Sequence, residues 1–171
     1  MLATDEGELE FQRYFVARRC QPVVHRIRFV GAAEARPGPG VLEAIGDPAT
    51  RAILIAPSNP FLSVDPILAV PGIREALQSA QAPVVAVSPL VAGRAVKGPT
   101  SKLMAELGLD VTVAAVARHY GDVIDGILVD AADPPIDLPV ASARADTMMR
   151  TLDDRIRVAR AALDLAETLA R

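Results

Sequence analysis

Residues 52–67 (AILIAPSNPFLSVDPI) place the strongest constraint on how this chain can fold. Their apolar start, residues 53–56, is typical of a buried parallel strand, which is covered on both faces. Pro57 and Pro60 can continue neither a strand ladder nor a helix, so the chain must turn there. Asp65 has the side chain of a helix N-cap, and the proline after it has the fixed φ of a first helical residue. These residues therefore predict a strand, a polar loop and a helix.

The same alternation continues along the chain. The apolar runs predict strands at residues 22–30, 53–56, 83–87, 111–117 and 126–130, with a further short strand at 139–142. Helical spacing is found at residues 11–16, 41–45, 67–79 with a break at 71–72, 101–107, and from about Thr147 to Leu169. Strands that alternate with helices predict a single α/β domain over residues 1–171, with a Rossmann-like three-layer fold and a mostly parallel sheet. A turn is predicted at Thr4–Gly7, and nothing before it could form a complete first strand, so we expect this fold to be incomplete at the N-terminus.

Composition restricts the classes of partner. The net charge of −3 gives no basic surface, so we expect no nucleic acid as a partner. No apolar run reaches the length of a membrane span, and Met1 is not followed by a basic segment and an apolar stretch. We therefore expect a cytoplasmic protein with no membrane association.

Two predicted strand ends share one design, in which an apolar run is followed by a hydroxyl beside a proline. Ser58 and Asn59 follow the first strand, and Ser88 follows the next. Such loops offer backbone N–H groups and a hydroxyl before a helix N-terminus, which together suit a phosphate. The alternative is an ordinary turn in which Ser and Asn cap backbone groups, but two neighbouring loops of this kind favour a ligand. A right-handed crossover makes the two strands parallel and adjacent, so both loops should open on one cleft at the carboxyl edge, and we expect Lys97 and Gly98 to converge on it as well.

Residues 93–100 (GRAVKGPT) contain further phosphate-binding candidates. Gly93 and Gly98 allow the backbone to approach a ligand closely, and Lys97 would add positive charge. The segment is not a P-loop, because Pro99 stands where that motif has its lysine. The alternative is a solvated loop with surface cations.

The remaining titratable groups give weaker signals. His119 and Tyr120 follow the predicted strand 111–117, where a lone histidine is more often structural than catalytic. No His, Cys and Asp spacing supports a zinc site. We interpret Asp130, Asp133 and Asp137 as loop solvation, with a metal role as the weaker alternative. We interpret the charges of the last helix as its solvent face.

Six segments carry a resemblance to a known enzyme family. In chain order they are Phe11–Val16 (FQRYFV), Ala56–Pro60 (APSNP) with Ser63, Ala69–Arg74 (AVPGIR), Val84–Pro89 (VVAVSP), Gly93 with Lys97–Pro99, and Val116–Gly121 (VARHYG). Together they resemble the 2-phospho-L-lactate transferase (CofD) family, which acts in biosynthesis of the deazaflavin coenzyme F-420.

The resemblance implies a reaction and a set of residues. A phospholactyl-type group, 2-phospho-L-lactate or phosphoenolpyruvate, would move from a guanosine diphosphate-linked three-carbon acid donor to the terminal hydroxyl of the deazaflavin Fo, with release of GMP and help from Mg²⁺. The family's glycine-rich first unit and its Asp-containing acceptor segment have no match here, so the chain resembles the C-terminal part and supplies mainly the donor side. The implied nucleotide- or phosphate-binding residues are Ser58, Asn59, Ser63, Ser88, Gly93, Lys97 and Gly98, with Gln12, His119 and Tyr120 as secondary candidates. No residue is assigned to a metal, and we expect the chain alone to be inactive.

Two other functions stay open at this point. One is a regulatory nucleotide-sugar binding protein of the CofD-like superfamily without transferase activity, and the other is a structural or interaction module. The segments 11–16 and 118–121 favour the transferase. An incomplete fold leaves apolar surface bare, so we also expect a homo-oligomer formed through an edge strand or the Phe11/Phe15 face.

Overall fold

The structure is a computed structural model that describes residues 1–96 and 98–170. Its strands are β1 (Leu2–Thr4), β2 (Gly7–Leu9), β3 (Val24–Ile27), β4 (Ile53–Ile55), β5 (Val84–Val87), β6 (Leu90–Val91), β7 (Arg94–Ala95), β8 (Gly126–Asp130) and β9 (Ala141–Ala145). Its α-helices are α1 (Val41–Gly46), α2 (Asp65–Leu68), α3 (Ile73–Gln78), α4 (Thr100–Glu106), α5 (Val113–Tyr120) and α6 (Leu152–Leu169). Single π-helical turns lie at Arg13–Ala17 and Pro60–Val64, and a 3₁₀ turn lies at Gly121–Val123.

The centre of the fold is a parallel sheet with the strand order β4-β5-β8-β9. Ile53 pairs with Val84, and Gly126 pairs with Val85 on one side and Ala141 on the other. Every residue of β5 and β8 is buried, because helices cover both faces of the sheet. The predicted α/β fold with a parallel sheet is confirmed, and β4 and β5 are adjacent and parallel as expected.

Alternate side chains of the sheet enter two separate cores, as the pleat requires. On one face Val85, Val87 and Leu128 pack against α6. On the other face Val84, Ala86, Ile127 and Val129 belong to a larger core that the remaining helices share. The arrangement is the predicted three-layer one. No helix of the described residues, α6 included, has the length and apolar character needed to cross a membrane.

A second, antiparallel sheet with the order β2-β1-β3 packs against the larger core. The prediction that nothing before Thr4 could form a complete first strand is wrong, because β1 begins at Leu2 and has a hydrogen-bonded neighbour on each side. The predicted turn at Thr4–Gly7 is confirmed. The Thr4 hydroxyl donates to the Gly7 carbonyl at 2.7 Å, and Gly7 has a φ of +99°.

The predicted strand at residues 111–117 is wrong, because this segment forms α5. Thr112 caps the helix by accepting a hydrogen bond from the Ala115 N–H at 3.1 Å. Residues 113–117 are all buried, so the helix lacks the polar face that would have identified it. A short helix buried on every side has the same continuous apolar pattern as a buried strand.

Several element starts differ from their predicted positions. The last sheet strand is Ala141–Ala145 rather than 139–142, and α6 begins at Leu152 rather than Thr147. Thr151 and Asp154 form a capping box at the start of α6, which fixes the later start. Asp65 is not an N-cap, because the helical segment after β4 already begins at Pro60.

Candidate functional site

A cleft of about 590 Å³ opens at the carboxyl ends of β4 and β5. Ser58 and Asn59, which follow β4, and Ser88, which follows β5, line one part of it. The segment that leads into α6 and the first turn of α6 line another part with Thr147, Met148, Met149, Arg150 and Arg155. The structure thus brings three of the predicted residues together at one edge of the sheet. Their role in binding phosphate stays a prediction.

Asn59 uses half of its side-chain amide for the fold. Its Oδ1 accepts hydrogen bonds from the N–H groups of Phe61 and Leu62, both at 3.0 Å, and so caps the helical segment. These two bonds determine which way the amide points. Nδ2 is then buried without a hydrogen-bond partner among the described residues. A buried unsatisfied donor costs about 1–3 kcal/mol, which a ligand oxygen would offset, so Asn59 is the strongest ligand candidate in the cleft.

Ser88 stabilises its own turn. Its side chain is almost fully buried, and its Oγ accepts a hydrogen bond from the Leu90 N–H at 3.1 Å. The Ser88 N–H continues the sheet by donating to the Leu128 carbonyl at 2.9 Å. These contacts are those of an ordinary turn, whereas Ser58 is half-buried in the cleft wall.

Gly93 lies in a hairpin rather than in an irregular loop. β6 and β7 pair, and Gly93 turns the chain between them with a φ of +70°. Its N–H donates to Asp133 Oδ1 at 2.7 Å, and it is not part of the cleft lining. Lys97, the predicted source of positive charge, lies outside the described residues.

A side groove of about 270 Å³ adjoins the cleft and shares Pro57, Asn59 and Thr100 with it. The predicted residues Ser63 and Gly98 line this groove and not the cleft. Its remaining lining is apolar and consists of Phe11, Phe15, Leu62 and Pro99. The predicted residues are therefore divided between two connected cavities.

Asp130 and Asp133 are buried, so their interpretation as loop solvation is wrong. Asp130 Oδ2 accepts from both the N–H and the hydroxyl of Thr147 at 2.8 Å, and its Oδ1 accepts from the Ala132 N–H at 2.8 Å. Burial raises the pKa of the Asp130 carboxyl, but these hydrogen bonds and the Arg144 charge outweigh it and leave the pKa below its usual value. Asp130 thereby fixes Thr147 in the cleft wall.

Arg150 and Arg155 are the site residues that the sequence analysis missed. Both line the cleft and both are exposed, which gives it two positive charges. The sequence predicts one unbroken helix from Thr147, and in such a helix both arginines belong to the solvent face. The signal that could have revealed them is the end of β9, because the loop after a parallel strand opens on the same edge as its neighbours.

The secondary candidates lie outside both cavities. His119 Nε2 is 2.9 and 3.0 Å from the two carboxylate oxygens of Asp65, and its ring packs on Phe61 with centroids 4.4 Å apart. Tyr120 is buried, and burial together with the Asp65 charge raises its pKa. Gln12 is exposed at the start of the first π-helical turn. The structure does not bring these three residues to the cleft or the groove.

A larger cavity of about 650 Å³ lies at the opposite edge of the sheet, between the segments before β4 and β5 and the end of α6. The Arg51–Glu167 ion pair there joins two exposed side chains. Parallel sheets bind their ligands at the carboxyl ends of the strands, so we assign the site to the smaller cleft.

The fold and the cleft define an α/β protein with a polar site at the carboxyl edge of a parallel sheet. Residues 1–167 match the family model described as "2-phospho-L-lactate transferase CofD". The chain belongs to this family, as its sequence motifs predicted.

Curated sequences and a solved structure are among the proteins similar to the chain. It is 46% identical over 165 residues to a "Phosphoenolpyruvate transferase" of Streptomyces coelicolor, with 93% of the chain and 51% of that protein covered. It is 41% identical over 165 residues to a "2-phospho-L-lactate transferase" of Halobacterium salinarum, covering 96% of the chain and 47% of that protein. The chain thus spans about half the length of these relatives. The crystal structure of protein BH3568 from Bacillus halodurans superposes with a TM-score of 0.60 at 20% identity, covering 95% of the chain and 57% of that structure, which shows a shared fold.

Proposed function

We propose that the chain supplies the donor side of a cytoplasmic transferase in coenzyme F-420 biosynthesis. The donor is a guanosine diphosphate (GDP) whose terminal phosphate carries the three-carbon acid, so that the transferred group is 2-phospho-L-lactate or phosphoenolpyruvate, and the acceptor is the deazaflavin Fo. Membership of the CofD family supports this assignment, and the names of the relatives cover both acids. The cleft is where the phosphates of the donor bind.

The observation that carries the proposal is the composition of the cleft wall. Asn59 brings an unpaired buried amide N–H, and Arg150 and Arg155 bring two guanidinium groups to the same cavity. Guanidinium groups form charge-assisted, often bidentate, hydrogen bonds with phosphate. The cleft would therefore offer a diphosphate positive charge and hydrogen-bond donors, which replace the water that the diphosphate loses on binding.

In the proposed reaction the terminal hydroxyl of the acceptor attacks the phosphorus that carries the three-carbon acid. A new oxygen–phosphorus bond forms, the phosphoanhydride bond breaks, GMP leaves with the bonding electron pair, and the hydroxyl proton is released. The tasks of the protein are to align the two substrates and to neutralise the charge on the phosphates. Arg150 and Arg155 provide the charge, and Asn59 provides an oriented donor.

Magnesium, which the family resemblance implies, stays a prediction. Within residues 1–96 and 98–170, no three His, Cys, Asp or Glu side chains are grouped so as to hold a metal ion. Asp130, the carboxylate behind the cleft wall, already accepts hydrogen bonds on both oxygens. The described residues do not form a magnesium site, so no step of the reaction is assigned to one.

Calorimetric titration of GDP tests the proposal. We expect Arg155→Ala to weaken GDP binding by tenfold or more, since a hydrogen bond to a charged group contributes about 1.5–3 kcal/mol. Arg160→Ala is the matched control, because Arg160 is exposed on the same helix but lines a different surface. Failure of the wild-type chain to bind GDP, or an equal loss in both variants, would refute the proposed site.

A further inference from the structure

The side groove has an aromatic wall. The rings of Phe11 and Phe15 stack on each other with centroids 5.5 Å apart and an interplanar angle of 29°. Their residues are 38% and 41% exposed, although large aromatic residues usually bury most of their surface. Two stacked rings beside a groove form a platform on which a further flat ring can pack.

The groove is too small to be a separate ligand site. Small-molecule sites usually have volumes of about 300–1,000 Å³, and this groove has about 270 Å³. It shares Pro57, Asn59 and Thr100 with the cleft of about 590 Å³, and together the two cavities reach the usual size. The groove is therefore one end of a longer site, and the unpaired Nδ2 belongs to Asn59, which lines both parts.

Two π-helical turns flank this groove. One contains Phe15 and is closed by a hydrogen bond from the Arg18 N–H to the Arg13 carbonyl at 2.9 Å. The other contains Leu62 and Ser63. Such turns are rare in proteins and are frequent at functional sites, where they displace side chains from their ordinary helical positions.

We propose that the Phe11–Phe15 groove is the subsite for a planar heteroaromatic ring of a substrate whose reacting end lies in the cleft. The inference rests on the proposed function, which has two sources of such a ring: the guanine base of the donor and the deazaflavin ring of the acceptor. Both chemistries use the same contacts. The ring stacks on the Phe platform, and Ser63 offers a hydroxyl to polar atoms on its edge.

Binding of three probes to the chain tests the subsite: GDP, Fo, and inorganic pyrophosphate, which has phosphates but no ring. Stacking of an aromatic side chain on a base contributes about 1–3 kcal/mol. Phe15→Ala should therefore lower the affinity for a ring-bearing probe by about 5- to 150-fold. Its pyrophosphate affinity should change less than twofold. Val16→Ala is the control, because Val16 is 65% exposed on the same turn but does not line the groove.

A tryptophan at the same position gives a direct optical signal. The chain contains no tryptophan, so Phe15→Trp introduces a single indole reporter. This variant should keep or improve the affinity for the ring, and the ring should quench its fluorescence. Pyrophosphate should bind without quenching it.

Each outcome decides the matter. Loss of GDP affinity alone in Phe15→Ala supports the subsite and identifies the donor base, whereas loss of Fo affinity alone supports it and identifies the acceptor ring. Unchanged affinity for both, a parallel loss of pyrophosphate binding, or no binding of either ring to the wild-type chain overturns the subsite. A dimer that buries this face and is dissociated by Phe15→Ala also overturns it. Fo binding that depends on Phe15, without binding of GDP or pyrophosphate, keeps the subsite and rejects the proposed donor function.

Discussion

At the scale of single residues, Asn59 combines two tasks in one amide group. The oxygen holds the turn that follows β4, and the nitrogen, which is buried without a hydrogen-bond partner among the described residues, would bind the ligand in the proposed function. Most substitutions would disturb both tasks at once. A carboxylate separates them, because Asp caps a helix about as well as Asn but has no N–H to donate.

We expect Asn59→Asp to abolish most of the phosphate binding while leaving the fold intact. The substitution replaces a donor by a negative charge that repels the phosphate, so GDP affinity should fall by tenfold or more. The free energy of unfolding should fall by less than it does in Asn59→Ala, because the cap is kept. Calorimetry and denaturant unfolding measure the two quantities. A loss of stability as large as that of Asn59→Ala would contradict this division of tasks.

Asp130 should make the stability of the chain depend on pH. Its folded pKa lies below the ordinary value of 3.8, so the unfolded chain binds the proton more strongly. The stabilisation is fully present above that value and is lost as the pH falls towards the folded pKa. We expect Asp130→Asn to lower the free energy of unfolding by about 1–3 kcal/mol at pH 7, with a difference from the wild type that narrows below pH 3.8. A constant difference from pH 7 to pH 3 would show that the carboxylate charge is not responsible.

Which site residues could be predicted depends on how local their signals are. Ser58, Asn59 and Ser88 were identified because each directly follows an apolar run, and their positions need only the local chain. The burial of Asp130 and Asp133 could not be predicted in this way. The hydroxyl partner of Asp130 is Thr147, and Asp133 accepts from Gly93, so both environments exist only in the folded chain.

At the scale of elements, the Asp65–His119 contact joins the segment that follows β4 to α5. The same helical segment begins with the Asn59 cap, so the contact supports one wall of the cleft from behind. The local sequence predicts separate roles for the two residues, Asp65 as a cap and His119 as a site candidate. Their pairing could not be predicted, because the apolar run 111–117 predicts a strand where the structure has α5.

A double-mutant cycle measures the coupling between these two elements. We expect Asp65→Ala and His119→Ala each to lower the free energy of unfolding. The loss in the double variant should be smaller than the sum of the two single losses by about 0.5–1.5 kcal/mol, which is the net contribution of one hydrogen bond. Denaturant unfolding of the four proteins provides the numbers. Strictly additive losses would show that the contact does not stabilise the fold.

The elements that could be predicted are those whose apolar residues form a run or a period of the length that is typical of a strand or a helix. β4, β5 and β8 follow from short apolar runs between turn residues, and the end of α4 follows from Gly108, which has a φ of +74°. α5 could not be recognised because residues 113–117 are all buried, so their apolar pattern has no helical period. The start of α6 was placed too early because Thr147 continues the helical spacing but is bound to Asp130 instead.

At the scale of the whole molecule, β4 is an edge strand of the described part of the sheet. β5 pairs with one side of it, and Leu54 is 40% exposed. Exposed strand edges pair readily with other chains, so the expected homo-oligomer has a defined place to form.

We expect the chain to associate through the β4 edge, and Leu54→Lys to shift the equilibrium towards the monomer, because a lysine on an edge strand opposes pairing. Sedimentation equilibrium over a range of concentrations measures the shift. Val30→Lys is the control, because Val30 is also exposed but lies outside the sheet. A wild-type chain that stays monomeric at the highest concentration would contradict the prediction.

The walls of the cleft come from three places that are far apart in the chain: the loops after β4 and β5 and the segment before α6. None of these walls can meet another until the parallel strands have paired, and such non-local pairing is the slow part of folding. A refolding chain should therefore recover its helices before it recovers any affinity for phosphate. For the same reason a ligand that bridges these walls should stabilise the native state, since it binds only the fully assembled sheet and shifts the folding equilibrium towards it.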